Sequence, residues 1–331
     1  MSRALDETVK EALEHGDHRS VFDEISTVLT KPSGELIEIE LLGKSHILDP
    51  SSTILQDGNA IAVPKLRLVQ AFLVARKYFI QYMGRSGSIP TDDVLKATAV
   101  MLLMDPEHLT AANTRKRLIQ KASTEQDTKE LLEREKHLVD SLLTSRLHRH
   151  TKSPTLWSHR RWLMDQFRLH QLDVSAEDDL RRIIAISGER HPRNYYAWCH
   201  ARYLVNTFVS TSPDAQEALL RMITTTQKWC FAHHDDISGW QFLAFLLERR
   251  PVDTSSTFCE TLKLAGSFKW RNESIWYFLR HLAAVRTGLG DSDLEEFELV
   301  RKKLWDSASE DGSERQTLER AQRWLSQGSS C

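Results

Sequence analysis

The run His233-His234-Asp235-Asp236 is the densest group of possible metal ligands in the chain. Imidazole and carboxylate groups bind divalent transition metals. An aspartate at the start of a helix, however, also caps the first free N–H groups. Asp236 stands four residues before a tryptophan, the position that Asn194 and Asn272 occupy before two others. We therefore predict a capping turn here, and no metal site in this chain.

Other catalytic signatures are not found. The sequence has no glycine-rich phosphate loop, and no Ser/His/Asp set stands out. Its four cysteines have no CxxC spacing, which predicts reduced thiols rather than a disulfide framework or a zinc finger. No apolar run approaches the length of a membrane span, and we expect a cytoplasmic protein.

Tryptophan marks the elements that position the polar residues. It recurs at intervals of 36 to 42 residues, at Trp157, Trp198, Trp240 and Trp276. This period is typical of stacked helical pairs, each too small to bury its apolar face alone. An earlier copy of the pattern has Ala112 where the others have tryptophan, which we call the anchor position. It keeps a proline six residues before this position. We expect the tryptophans to be buried at equivalent places.

Histidine and arginine recur in step with the tryptophans. His159 and His200 follow by two residues, and Arg160, Arg202 and Arg280 follow by three or four. These shared offsets favour structural hydrogen bonds, with arginine bonding carbonyls or carboxylates, over catalysis. The predicted repeat anchors or partner-binding residues are Trp157, His159, Arg160, Asn194, Trp198, His200, Arg202, Trp240, Asn272 and Trp276.

We call the recurring stretch around each tryptophan, and the earlier copy around Ala112, a repeat frame. The five frames resemble the repeats of protein prenyltransferase alpha subunits, whose pattern is Pro-x-Asn-Tyr-x-x-Trp-x-x-Arg-Arg. The third frame, Pro192-Arg193-Asn194-Tyr195-x-x-Trp198, matches best, and the last is Asn272-Glu273-Ser274-x-Trp276. The resemblance covers about residues 100–282. It implies an all-α fold, a right-handed α-α superhelix of antiparallel helical hairpins. A tetratricopeptide array fits less well, because its shorter period and its Leu-Gly positions are absent.

The resemblance also implies a role beside a second subunit. In the family, the alpha subunit surrounds a beta subunit that holds the zinc and the isoprenoid pocket, so we expect zinc and prenyl diphosphate there and no cofactor in this chain. A family lysine near the diphosphate falls at Arg193, which keeps the positive charge. Tyr195 matches the repeat tyrosine beside it, and these two are the predicted catalytic residues. An exposed turn residue is the alternative for Arg193.

Two functions from different classes remain open. The first is an alpha-type subunit that supports geranylgeranyl or farnesyl transfer to a cysteine near the C-terminus of target proteins. Its expected partner is a Rab geranylgeranyltransferase-type beta subunit, as in the branch that forms a third type of geranylgeranyltransferase. The second is a helical-repeat scaffold or adaptor without transferase activity. A net charge of −2 gives no indication of nucleic-acid binding.

The N-terminal part has a different pattern. Residues 1–63 are expected to form short helices and an irregular or β-hairpin insert, with a turn at Asp57-Gly58-Asn59. Residues 64–327 are expected to form the helical-repeat solenoid, with capping helices at 291–326. The insert is interpreted either as a lid or as a cover for one end of the solenoid.

Overall fold

The computed structural model describes residues 7–31, 34–43, 52–84, 89–309 and 312–328. These residues are mainly helical, and their strands form one three-stranded sheet near the N-terminus. The structure confirms the predicted all-α helical-repeat class with a small N-terminal insert. Part of the predicted insert, residues 44–51, and Cys331 lie outside the described residues.

The chain divides into two compact units, residues 1–174 with 189–191, and residues 175–188 with 192–331. The predicted boundary after residue 63 stays a prediction. The first unit contains α1 (Glu7–His15), α2 (His18–Thr30), α3 (Lys65–Met83), α4 (Thr91–Met104), α5 (Leu109–Gln120), α6 (Glu125–Thr144), α7 (His148–Thr151) and α8 (Pro154–Leu169).

The remaining helices belong mostly to the second unit. They are α9 (Ala176–Asp179), which continues through a π-helical segment (Leu180–Ile184) into α10 (Ala185–Arg190); α11 (Tyr195–Leu204), followed by a π-helical segment (Val205–Val209); α12 (Ala215–Ala232); α13 (Ile237–Leu247); a 3-10 turn (Pro251–Asp253); α14 (Thr254–Phe268); α15 (Glu273–Val285); α16 (Asp291–Asp306); and α17 (Ser313–Gly328).

Helix α4 is the centre of the first unit. Nine of its side chains, from Val94 to Leu103, are buried, as expected of a helix that is apolar on all sides. Helices α2, α3 and α5 pack against it. Helix α6 packs against α5 and α8, the two helices that carry the first two repeat frames.

The small sheet lies against α6. Its strands are β1 (Glu38–Leu42), β2 (Leu55–Asp57) and β3 (Ala60–Pro64), with β3 in the centre. Strands β2 and β3 form the predicted hairpin, whereas β1 pairs parallel to β3. The sheet buries Ile39, Ile61 and Val63 on one face. The N–H of Ile37 donates to Oγ of Ser141 on α6 at 3.0 Å, which joins the insert to the repeats.

The second unit is built from helical hairpins. Helix α12 packs with α13, α14 with α15, and α16 with α17. The second helices of successive hairpins also pack in order, α11 on α13, α13 on α15 and α15 on α17. Helices α11, α13 and α15 each begin at a repeat frame. Tryptophans that recur at a regular interval in the sequence therefore lie on neighbouring helices.

Candidate functional site

Each frame begins with a capping residue four positions before the anchor. These residues are His108, Ser153, Asn194, Asp236 and Asn272. Each side chain accepts a hydrogen bond from a backbone N–H two or three residues later, at 2.9 to 3.3 Å. The run that ends at Asp236 is therefore a capping turn, and no group of three metal-binding side chains occurs within the described part of the chain.

Besides Asp236, which accepts a hydrogen bond from the N–H of Arg193, two capping residues join their frame to the preceding one. The hydroxyl of Ser153 donates to the carbonyl of Pro106 at 3.2 Å. The side-chain nitrogen of Asn272 lies 2.9 Å from Nδ1 of His234. Both partners stand six residues before their own anchor. The capping residue thus bonds both the first turn of its own helix and a residue of the preceding frame.

The four anchor tryptophans are all buried. The indole N–H of Trp157, Trp240 and Trp276 donates to the carbonyl six residues earlier, at 2.9, 3.1 and 2.9 Å. Trp198 differs, because its indole nitrogen has no hydrogen-bond partner among the described residues. Its ring packs instead against Trp229, with 4.8 Å between the centroids. The third frame therefore holds its anchor by aromatic packing alone.

Sequence reasoning missed Trp229, which lies on α12 outside the frames. Its ring stacks on His233 at 4.2 Å and covers Gly239. A Cβ built at Gly239 would lie 2.5 Å from a ring carbon of Trp229, and one at Gly188 would lie 3.0 Å from the same ring. These two glycines leave the space that the indole fills.

A buried ion cluster ties together four helices of the first unit. Arg115 on α5 donates through Nε to both carboxylate oxygens of Glu135 on α6, at 2.8 and 2.9 Å. Its Nη1 also bonds the hydroxyl of Thr98 on α4 at 2.8 Å. Nε2 of His159 on α8 lies 3.1 Å from Glu135. Sequence reasoning singled out the histidine but neither member of the ion pair.

The cluster sets the protonation of its members. Burial raises the pKa of Glu135, but Arg115 and His159 together lower it further, to about 2. Burial lowers the pKa of His159, Glu135 raises it, and the charges of Lys116 and Arg115 lower it again, so that the net shift is downward. At neutral pH, Glu135 is therefore charged and His159 is neutral. The arrangement is a closed structural cluster, since none of these side chains faces solvent.

Arg160 forms a second buried pair in the same hairpin. Its Nε donates to Oδ1 of Asp140 at 2.7 Å, and Lys136 approaches Oδ2 at 2.8 Å. Burial raises the pKa of Asp140, but the two cations bring it below its usual value. The side chain of Arg160 is fully buried and bonds a carboxylate of the neighbouring helix.

The corresponding residues of the second unit are placed differently. His200 is buried with its ring 5.5 Å from Tyr203. Arg280 is buried and donates to Glu273 at 2.6 Å. Arg202 is half-buried, and its guanidinium lies over the ring of Phe245 rather than on a carboxylate. Of the three arginines that follow the anchor tryptophans, Arg160 and Arg280 are buried, and only Arg202 is partly exposed.

The predicted catalytic residues lie at the surface. Arg193 is exposed in a left-handed backbone conformation with φ +59°. Its N–H donates to Oδ2 of Asp236, which fixes the turn. Tyr195 opens α11 with 63% of its surface exposed. A hydrogen bond with Cys199 raises the pKa of Tyr195. The catalytic roles of Arg193 and Tyr195 stay a prediction.

Two family models match parts of this chain. The model of the protein prenyltransferase alpha subunit repeat matches residues 133–167, which include most of α8 and its frame. Residues 133–167 are thus similar to one protein prenyltransferase alpha subunit repeat. A second family model, the ECM9 middle domain, matches residues 156–268. Together the two models cover frames two to four.

Named relatives agree with this family. The chain is 29% identical over 184 residues to the human protein prenyltransferase alpha subunit repeat-containing protein 1, covering 50% of this chain and 42% of the relative. It is 25% identical over 211 residues to protein ECM9 of Saccharomyces cerevisiae, covering 62% and 53%. The match therefore spans about half the length of these relatives.

Proposed function

We propose that this chain is the alpha-type subunit of a heterodimeric protein prenyltransferase that transfers a geranylgeranyl group to cysteines near the C-termini of target proteins. The observation that carries the proposal is the third repeat frame, which presents an exposed arginine and tyrosine at a fixed turn. The frame resembles the alpha subunit repeat, and its capping residue Asn194 bonds within the fold. Arg193 and Tyr195 remain available to a partner or substrate.

Prenyl transfer forms a carbon–sulfur bond and releases diphosphate. The reaction needs a reactive thiolate and cations for the leaving group, and a zinc ion commonly supplies the thiolate. In this proposal, zinc and the prenyl diphosphate are bound by the beta subunit, a Rab geranylgeranyltransferase-type protein. The alpha-type chain contributes the positive charge of Arg193.

Arg193 is suited to stabilise the diphosphate. A guanidinium offers several donors to phosphate oxygens, and cations aimed at developing charge lower the barrier. The bond between its backbone and Asp236 fixes the turn that carries the side chain. The hydroxyl of Tyr195 is protonated at neutral pH, as that of an ordinary tyrosine is, and can donate a hydrogen bond.

The proposal is tested by co-expression with a Rab geranylgeranyltransferase-type beta subunit, followed by co-purification and a transfer assay. Arg193→Ala should leave the complex intact and slow transfer by about 100-fold, whereas Arg193→Lys should retain much of the rate. Arg182→Ala, a change at an exposed arginine of the same unit, is the matched control. Equal rates for Arg193→Ala and the control would contradict the role of Arg193.

The alternative is a repeat scaffold that kept the fold without the activity. It predicts that the chain binds no prenyltransferase beta subunit, or binds one without any transfer. Co-purification and transfer are measured separately in this experiment, so the two outcomes can be told apart.

A further inference from the structure

A cleft opens between α11, α13 and α15 in the second unit, with a volume of about 240 Å³. Its wall is mixed, with aromatic rings beside charged groups. The side chains that matter here are Arg202, Gln241, Phe245, Glu248, Tyr277 and His281. Arg202 lies on the face of α11 that also carries Tyr195, at helical spacing.

Two arginines lie near the ring of Phe245, which lines this cleft. The guanidinium carbons of Arg249 and Arg202 lie 3.5 and 5.4 Å from the centroid of the Phe245 ring. Arg249 donates to the carbonyl of Phe245 and to Asn206, at 3.0 and 3.1 Å. Among the hydrogen bonds and ion pairs of the described residues, none involves the guanidinium of Arg202.

The charges around the ring do not balance. Burial lowers the pKa of Arg249, the charge of Glu248 raises it, and the nearby charge of Arg202 lowers it again. Glu248 is exposed and lies 3.5 Å from Nε2 of His281. Two guanidinium groups therefore lie beside the Phe245 ring, and the charge of Glu248 acts on one of them.

We propose that this cleft binds an acidic segment of a partner protein, with one carboxylate between Arg202 and Arg249 and a neighbouring apolar side chain against Phe245 and Tyr277. A guanidinium pairs with a carboxylate through two parallel hydrogen bonds, and Arg202 can offer both because its guanidinium bonds none of the described residues. The carboxylate of Glu248 disfavours a dianionic phosphate in the same place. This site does not depend on prenyl transfer by the complex.

The test uses a displayed library of random peptides, selected against the whole purified chain. The selected peptides should be enriched in aspartate or glutamate next to phenylalanine or leucine. Synthetic labelled copies are then titrated by fluorescence anisotropy against the wild-type chain and the Arg202→Gln/Arg249→Gln variant. The double substitution should weaken binding by roughly tenfold or more, as expected for lost hydrogen bonds to a charged group.

Arg182→Gln is the matched control, because it removes an exposed arginine of the same unit from a different helical segment. It should bind the peptides as the wild type does, and added salt should weaken binding to both. Thermal melts of all variants establish that the fold is retained. The proposal is overturned if no peptide is selected, if the selected peptides lack acidic residues, or if the double variant binds them as tightly as the control.

Discussion

Replacing Glu135 by glutamine tests the buried cluster in the first unit. The change keeps the shape of the side chain and removes its charge. Arg115 then stays buried with no carboxylate for its Nε and Nη2 groups. Breaking a buried ion pair on one side leaves an uncompensated charge, which typically costs about 3–5 kcal/mol.

The pKa of Glu135 gives a second route to the magnitude. Its value is about 2 in the fold against 4.5 for an ordinary glutamate. At ~1.4 kcal/mol for each pH unit, the difference corresponds to roughly 3 kcal/mol of folding free energy. Because the folded pKa is the lower one, this contribution is complete above about pH 4.5 and is lost as the pH falls towards 2.

The assay is urea unfolding followed by circular dichroism, at neutral pH and at several acidic values. Glu133→Gln, at an exposed position on the same helix, is the matched control and should change the unfolding free energy by less than about 0.5 kcal/mol. Glu135→Gln should be destabilised by roughly 3 kcal/mol at neutral pH, with a smaller difference from wild type below pH 4.5. A loss no larger than that of the control would refute the reasoning.

Three further predictions concern the anchors of the second unit. Trp198→Ala should cost about 3–5 kcal/mol of unfolding free energy in urea titrations, as large core truncations do; a loss under about 1 kcal/mol would mean that the ring is not core. Trp240→Phe should cost about 1 kcal/mol more than Trp198→Phe, because only the Trp240 indole donates a hydrogen bond. Equal losses would show that this bond contributes nothing. Gly239→Ala should lower the melting temperature because its methyl group meets the ring of Trp229, and Trp229→Leu in the same chain should restore part of the loss.

The repeat frames were predictable because each is local. The capping slot and the anchor lie four residues apart, and the same residues recur at a nearly constant period. The helix starts at Asn194, Asp236 and Asn272 follow from this pattern alone, since a side-chain cap acts on N–H groups only two or three residues away.

Other features depend on contacts that no local pattern records. Arg115 and Glu135 lie on separate helices, and both types of residue are usually exposed. Trp229 gives no signal of its own, because its place is set by the glycines that leave space for it. The parallel pairing of β1 with β3 joins strands separated by the residues that include 44–51. The sequence places Arg160, Arg202 and Arg280 similarly after their anchors. Only the fold shows that Arg202 lies over an aromatic ring, whereas the other two bond carboxylates.

The measurement that tests the central claim most directly is the initial rate of labelled geranylgeranyl transfer to a protein that ends in cysteines. The rate is measured with this chain alone, with a Rab geranylgeranyltransferase-type beta subunit alone, and with the two mixed. The account predicts transfer by the mixture and none by either protein alone. Transfer by the isolated chain, or no increase when the chain is added to the beta subunit, would contradict it.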